Sequence, residues 1–180
     1  MMKLTTFATA VLVAGMSMVQ PSYAGPINFL FSFSNNVAGC GNCNVPGTVK
    51  GEIFGLQDNS NGPASSVVIL SHPAGILNLP ATPFLVSDYA ATLGLFISQN
   101  DFTVSNGAIT FGIYQIFGGY FDLNVANAFN TLASPNAATR VQNLQGLAGV
   151  TFTQAPEPFT LSLFGAGLAG AVAMRRRKKA

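Results

Sequence analysis

Short runs in which apolar and polar residues alternate dominate the middle of the chain. In 27–34 every second residue is Ile or Phe, and Asn, Leu or Ser stand between them. Alternation with a period of two is typical of a β-strand that buries one face. Similar runs follow at spacings near ten residues: 48–56, 66–71, 84–89, 93–98, 101–105, 108–115, 120–125 and 149–153. This spacing predicts a mainly β fold, an antiparallel sandwich or barrel-like domain.

Turn residues separate these runs. Asn106-Gly107 stands between two of them and suits a type I′ turn, which predicts a β-hairpin. The polar cluster 58–63 marks another turn. Only 124–132 is compatible with a short helix. Because alternate strand residues face the same side, we expect an aromatic and aliphatic core: Phe31, Phe33, Ile53, Val67, Ile69, Phe102, Ile109, Phe111 and Phe152.

The N-terminal segment has the three parts of a secretory signal peptide. Lys3 supplies the positive start, 4–19 is apolar, and Gln20-Pro21 breaks the run. Small residues then precede a cleavage site between Ala24 and Gly25. The alternative is a retained membrane helix, for which the apolar run is short. We therefore expect a signal peptide over 1–24 and an exported domain over 25–154.

The C-terminal segment predicts a transmembrane helix with a basic tail. The stretch 159–174 carries no charge and would form a helix about 24 Å long at 1.5 Å per residue. Positive charge is retained on the cytoplasmic side of a membrane, so the tail 175–180 should stop transfer and stay inside. Its five cations are Arg175, Arg176, Arg177, Lys178 and Lys179.

A proline-rich stalk, 155–158, precedes this apolar stretch. Its two prolines remove backbone donors and favour extended conformations, which makes the segment accessible. The order Pro-Glu-Pro, apolar Gly/Ala/Leu-rich span and basic end, from 156 to 179, resembles the PEP-CTERM sorting signal. The resemblance implies that a membrane-embedded exosortase recognises Pro156, Glu157 and Pro158 and that the tail is removed. A permanent tail anchor and a GPI signal are the alternatives, although a GPI signal lacks the terminal basic block.

Three stretches of the exported domain resemble a β-rich ectodomain that precedes PEP-CTERM tails. They are the stretch GTVKGEIFGLQDNSNGPASSVVILSHPAG, the hairpin FTVSNGAITF and the final LAGVTFTQAPEP. That type of ectodomain has no assigned biochemical activity. The resemblance therefore supports the β fold and implies no mechanism.

Charge is scarce and unevenly placed. Charged residues make up 8% of the chain, whereas about 25% is usual for a soluble domain. The stretch 25–158 holds two cations, Lys50 and Arg140, against six acids. This negative balance would repel nucleic acid, so no nucleic-acid partner is expected.

Cys40 and Cys43 form the one paired-cysteine motif. In an exported chain a disulfide is the default expectation, and so short a loop would stabilise the fold only weakly. A redox-active site is the alternative, but such a site normally begins a helix, whereas loop residues follow Cys43. Since no His follows Cys43, the pattern does not fit haem attachment.

No other arrangement of residues points to catalysis, a metal or a cofactor. His72 is the single histidine of the chain, and the acids Asp88, Asp101 and Asp122 are scattered. A paired-carboxylate hydrolase needs two carboxyl groups about 5–10 Å apart, which the spacing does not show. The stretch 58–61 offers oxygen ligands for calcium, but a plain turn accounts for it as well.

The expected function is that of a non-catalytic surface or extracellular-matrix protein with no cofactor. The precursor would lie in the inner membrane with its ectodomain outside, and the product at the cell surface or beyond it. One alternative is a sandwich that binds exopolysaccharide through Tyr89, Tyr114 and Tyr120, although the chain has no Trp. The other is a glycan-acting hydrolase.

Overall fold

The computed structural model describes residues 25–37, 45–126 and 129–156. In these ranges the chain forms eleven β-strands, one α-helix and one 3₁₀ helix, Gly146–Gly149. The strands and helix are β1 (Ile27–Ser34), β2 (Thr48–Leu56), β3 (Ser60–Gly62), β4 (Ser66–Ser71), β5 (Phe84–Leu85), α1 (Val86–Thr92), β6 (Ile97–Ser105), β7 (Ala108–Ile116), β8 (Phe121–Asn124), β9 (Phe129–Ala133), β10 (Arg140–Asn143) and β11 (Val150–Gln154).

The strands form two antiparallel sheets, which confirms the mainly β fold. The first sheet has the order β11-β1-β2-β4-β5, and the second has the order β10-β9-β8-β7-β6-β3. The inward side chains of both sheets belong to one hydrophobic cluster. Phe31 of the first sheet lies 6.3 Å, ring centre to ring centre, from Phe121 of the second. This packing is that of a β-sandwich.

The hairpin at Asn106-Gly107 forms as predicted. β6 and β7 pair across it, and Asn106 and Gly107 have φ angles of 52° and 73°. Two successive positive φ angles are what a type I′ turn requires, and Asn-Gly adopts them at little cost. The predicted turn at 58–63 is confirmed at its start, but Ser60–Gly62 pairs with β6 as β3.

The predicted core is buried except at Phe111 and Phe152. A β-bulge displaces Phe111, because Thr103 pairs with Phe111 while the next residue pairs with Ile109. The additional residue on β7 breaks the alternation and turns Phe111 outward, where it is 36% exposed. Phe152 lies on the edge strand β11 and is partly buried.

Three local predictions are wrong. The run 93–98 is strand only at its last two residues, because β6 begins at Ile97 and continues through the predicted run 101–105. The stretch 124–132 is not a short helix, because Asn124 ends β8 and Phe129–Ala133 forms β9. Cross-strand pairing from β7 to β10 determines this region and overrides the local pattern. The run 84–89 is a strand only at Phe84–Leu85, and α1 follows with Val86, Tyr89 and Ala90 buried.

Candidate functional site

The last strand of the domain lies beside the first. β11 pairs with β1 in antiparallel register, with Gln154 opposite Phe29. One residue further on, the N–H of Ala155 donates a hydrogen bond of 2.8 Å to the carbonyl of Asn28. Because the pair is antiparallel, the start of β1 and the end of β11 lie at the same end of the sandwich. The exposed Gly25 and Pro156 flank this pair.

The start of β1 is hydrogen-bonded to the rest of this end of the sandwich. The side-chain Oδ1 of Asn28 accepts a hydrogen bond of 3.1 Å from the N–H of Gly55, at the end of β2. A small cavity of about 60 Å³ lies between the start of β1 and the end of β11. Its lining is Gly25, Pro26, Ile27, Asn28, Gln154, Ala155 and Pro156. Pro156, which the sequence predicts to be a sorting residue, therefore follows directly from the end of β11.

Two turns complete the same end. Oδ1 of Asp58 accepts hydrogen bonds of 2.8 Å from the N–H groups of Asn59 and Gly107, and Oδ1 of Asn59 accepts one of 3.0 Å from Asn106. A Cβ built on Gly107 would lie 3.9 Å from Oε1 of Gln154. The hydrogen bonds of Asp58 and Asn59 thus connect the turn at 58–59 to the turn at 106–107. The Asp58 carboxylate therefore accepts hydrogen bonds from both turns.

We call this end of the sandwich the junction face. It comprises Gly25–Asn28, Asp58–Asn59, Asn106–Gly107 and Gln154–Pro156. The face contains the acid Asp58 and no Lys or Arg. It brings together Gly25, next to the expected signal-peptide cleavage site, and Pro156, the first of the expected sorting residues, which the sequence places about 130 residues apart.

Asp122 is a second feature, which the sequence does not single out. It lies within β8, between Gln115 on β7 and Thr131 on β9, and faces away from the core. It is nevertheless only 6% exposed. Its Oδ2 accepts a hydrogen bond of 3.0 Å from Nε2 of Gln115, and its Oδ1 makes none. Burial raises the pKa of the Asp122 carboxyl to about 6, although the Gln115 hydrogen bond lowers it in part.

Replacing Asp122 with Asn should remove a pH dependence of stability. The pKa of this carboxyl is near 3.8 when unfolded and about 6 when folded, so the folded state holds its proton more tightly. The wild type should therefore lose up to about 3 kcal/mol of unfolding free energy between pH 4 and pH 7. Urea unfolding at both pH values should show this loss in the wild type and not in Asp122→Asn. The exposed Asp88→Asn serves as the control, and an unchanged pH slope in Asp122→Asn would contradict the assignment.

Asp88, Asp101 and His72 lie apart from the junction face. Asp88 is exposed on α1, and Asp101 lies on β6, separated from Asp122 on β8 by the intervening β7. The His72 ring packs edge-on against Phe84, with centres 6.2 Å apart. Among the described residues, no group of three or more His, Cys, Asp or Glu side chains is placed to hold a metal ion.

Two of the three tyrosines expected to bind polysaccharide are not accessible to it. Tyr89 and Tyr114 are buried and Tyr120 is half-buried. The Tyr89 hydroxyl donates a hydrogen bond of 2.7 Å to the carbonyl of Ala133. Burial raises the pKa of both the Tyr89 and the Tyr114 hydroxyl. The expectation that these three rings are available is therefore wrong for Tyr89 and Tyr114.

Several sequence predictions lie outside the described residues. They concern the signal peptide with Ala24, the Cys40–Cys43 disulfide, the sorting residues Glu157 and Pro158, the apolar stretch 159–174 and the basic tail 175–180. These stay predictions. Within 25–37, 45–126 and 129–156, no helix has both the length and the apolar character that crossing a bilayer requires.

Comparison with known proteins identifies the end of the chain. Residues 154–178 match the PEP-CTERM protein-sorting motif, which confirms the resemblance noted in the sequence. The match begins at Gln154, the last residue of β11, so the motif and the sandwich share that residue. No curated protein and no solved structure matches the chain significantly.

Proposed function

We propose that this chain, which carries a PEP-CTERM protein-sorting motif, is exported and processed at the membrane by an exosortase-type enzyme. The enzyme would recognise Pro156, Glu157 and Pro158 and remove the segment that follows. The product would act outside the cell as a non-catalytic surface or extracellular-matrix protein. The observation that carries the proposal is the motif match at 154–178, directly continuous with the terminal strand of a folded domain.

The position of Pro156 supports recognition by a protease-like enzyme. Ala155 is the last residue with a strand-type hydrogen bond to β1, and Pro156 is exposed. Proline has no N–H to donate, so it cannot extend the ladder between β11 and β1. The chain is therefore released from the sheet at the first residue of the Pro-Glu-Pro sequence.

The placement of the carboxyl groups supports a non-catalytic role. Asp101 and Asp122 lie on one face of the second sheet, two strands apart and two residues out of register, which gives a separation of about 12 Å at the usual strand spacing and rise. A hydrolase would need both carboxyl groups to reach the substrate. Asp122 is buried and bonded to Gln115, so a glycan has no access to it.

The alternative function, binding of exopolysaccharide through the three tyrosines, has less support than the sequence alone gave it. Carbohydrate recognition commonly uses exposed aromatic side chains with a polar edge, and the tyrosines invoked for it are buried or half-buried. The exposed rings of the described residues are Phe96, Phe111, Phe117 and Phe129. None of them carries a polar group, so we propose no second function.

The proposal is tested on protein recovered from the cell surface. Intact-mass and peptide analysis should show that residues 159–180 are absent, because cleavage near Glu157 removes them. In a strain without the sorting enzyme, the same residues should be present and the protein should stay in the inner membrane. Surface protein that still contains the peptide 159–174 would favour a permanent tail anchor instead.

A further inference from the structure

We infer that the junction face is the surface on which the membrane-embedded sorting enzyme docks. The inference rests on the proposed function and adds to it a contact outside the sorting motif. It follows from the short distance between the folded domain and the membrane, from the position of both chain ends, and from the rigidity and charge of the face.

The distance from the domain to the membrane is limited by covalent geometry. Ala155 is bonded to β1, and the apolar stretch begins at Phe159. Four Cα–Cα steps of at most about 3.5 Å give a separation of no more than about 14 Å. A 100-residue domain has a radius of gyration of about 13 Å and is therefore wider than this gap. An enzyme that cuts between them must touch the end of the sandwich.

The end that it must touch is the junction face. β11 leaves the sandwich there, and β1 enters it beside β11. Both membrane-directed segments of the precursor thus start from the same face, which turns this face toward the bilayer. The opposite end, with the loop between β7 and β8, is about 30 Å away along the nine residues of β7.

The face is suited to a polar protein contact. Hydrogen bonds fix its turns through Asp58 and Asn59, so it presents a preformed surface that loses little entropy on binding. It consists mainly of Gly, Pro, Asn and Gln, with one acid and no cation. Neutral or basic loops of the enzyme would complement this face. The hydrocarbon core of the bilayer would not, because the face is polar.

Inserting a folded domain at one or the other end of β7 tests the inference. We would insert the same small folded domain, with the same Gly/Ser linkers, between Asn106 and Gly107 or between Gly118 and Gly119 of the full chain. Both sites are exposed or half-exposed β-hairpin tips of the second sheet, where insertions are commonly tolerated. Pulse-chase in cells with the enzyme measures the rate of tail removal, and protease resistance checks that each ectodomain is folded.

Insertion at Asn106–Gly107 should slow tail removal at least ten-fold, and insertion at Gly118–Gly119 should leave it within two-fold of wild type. A flexible spacer of twelve residues between Ala155 and Pro156 should not restore the rate of the Asn106–Gly107 variant, because the inserted domain still covers the docking surface. Restoration of the rate would show that the insertion acts only by crowding the cleavage site, and would overturn the inference. Equal rates for the two insertions would overturn the docking inference.

A second variant covers the case in which the Asn106–Gly107 insertion does not fold. The same domain fused directly before Gly25 lies at the junction face and interrupts no element of the sandwich. This fusion should also slow tail removal ten-fold, and processing at the wild-type rate would overturn the inference. If the tail of the unmodified protein is never removed, the proposed function fails instead, so the two failures are distinguishable.

Discussion

Replacing Glu157 with Ala should cause the uncut precursor to accumulate in the inner membrane, with tail removal at least ten-fold slower than in the wild type. Glu157 is the central residue of the Pro-Glu-Pro sequence within the sorting motif. Neither the expected export through a signal peptide nor the expected insertion of the apolar stretch would need its carboxylate. The substitution should therefore act on recognition alone. Pulse-chase labelling followed by membrane fractionation measures the ratio of precursor to product.

Two controls define the result. Asp88→Ala removes an exposed carboxylate from α1, far from the motif in sequence, and should be processed normally. Replacing the five cations of 175–179 with Ser should instead disturb retention of the precursor in the membrane. Moving a charge into the hydrocarbon core costs at least about 2.5 kcal/mol, so these cations are expected to stop the apolar stretch from passing through. Normal processing of Glu157→Ala would show that the sorting interpretation of the motif is wrong.

Replacing Phe121 with Ala should destabilise the domain by about 3–5 kcal/mol. The Phe121 side chain is fully buried and contacts the rings of Phe31 and Tyr114, at centre distances of 6.3 and 6.2 Å. It thus joins the two sheets, and its loss leaves a cavity between them. A domain of this size is stable by only about 5–15 kcal/mol, so urea unfolding of the exported domain should show a large fall in its midpoint.

Phe117 provides the matched control for Phe121. It lies four residues earlier, on the other side of the same loop, and is 56% exposed. Its ring stacks on that of Phe96 at 5.3 Å, so Phe117→Ala should cost about 1 kcal/mol or less. Similar losses of stability for the two variants would contradict the described packing of β8.

Local patterns in the sequence predict the features that depend on neighbouring residues. The Asn106-Gly107 turn follows from two residues that accept positive φ, and the alternation of β1 places Phe29, Phe31 and Phe33 in the core. The same reasoning fails at Phe111, because one additional residue in β7 reverses the faces. It also misses α1, whose seven residues are too few to show a helical period clearly.

The candidate site depends on contacts that are distant in sequence. The sorting motif is recognisable from residues 156–179 alone. Its position beside Gly25 follows from the pairing of β1 with β11, which no local pattern specifies. The burial of Asp122 is likewise a property of its neighbours on β7 and β9, although its place in an alternating run puts it on a strand. Sequence reasoning therefore identifies the sorting signal and not its structural setting.

The antiparallel pairing of β1 with β11 also determines how the domain responds to force. A pull that separates its first and last residues loads the hydrogen bonds of this pair one at a time, starting with Ala155 N–H to Asn28 O. A pull between the end of β11 and the opposite end of the sandwich, near Phe96 and Phe117, runs along the strands and loads many hydrogen bonds together. A domain held by the end of β11 therefore resists load applied at its far end, and yields more easily to load applied at the start of β1.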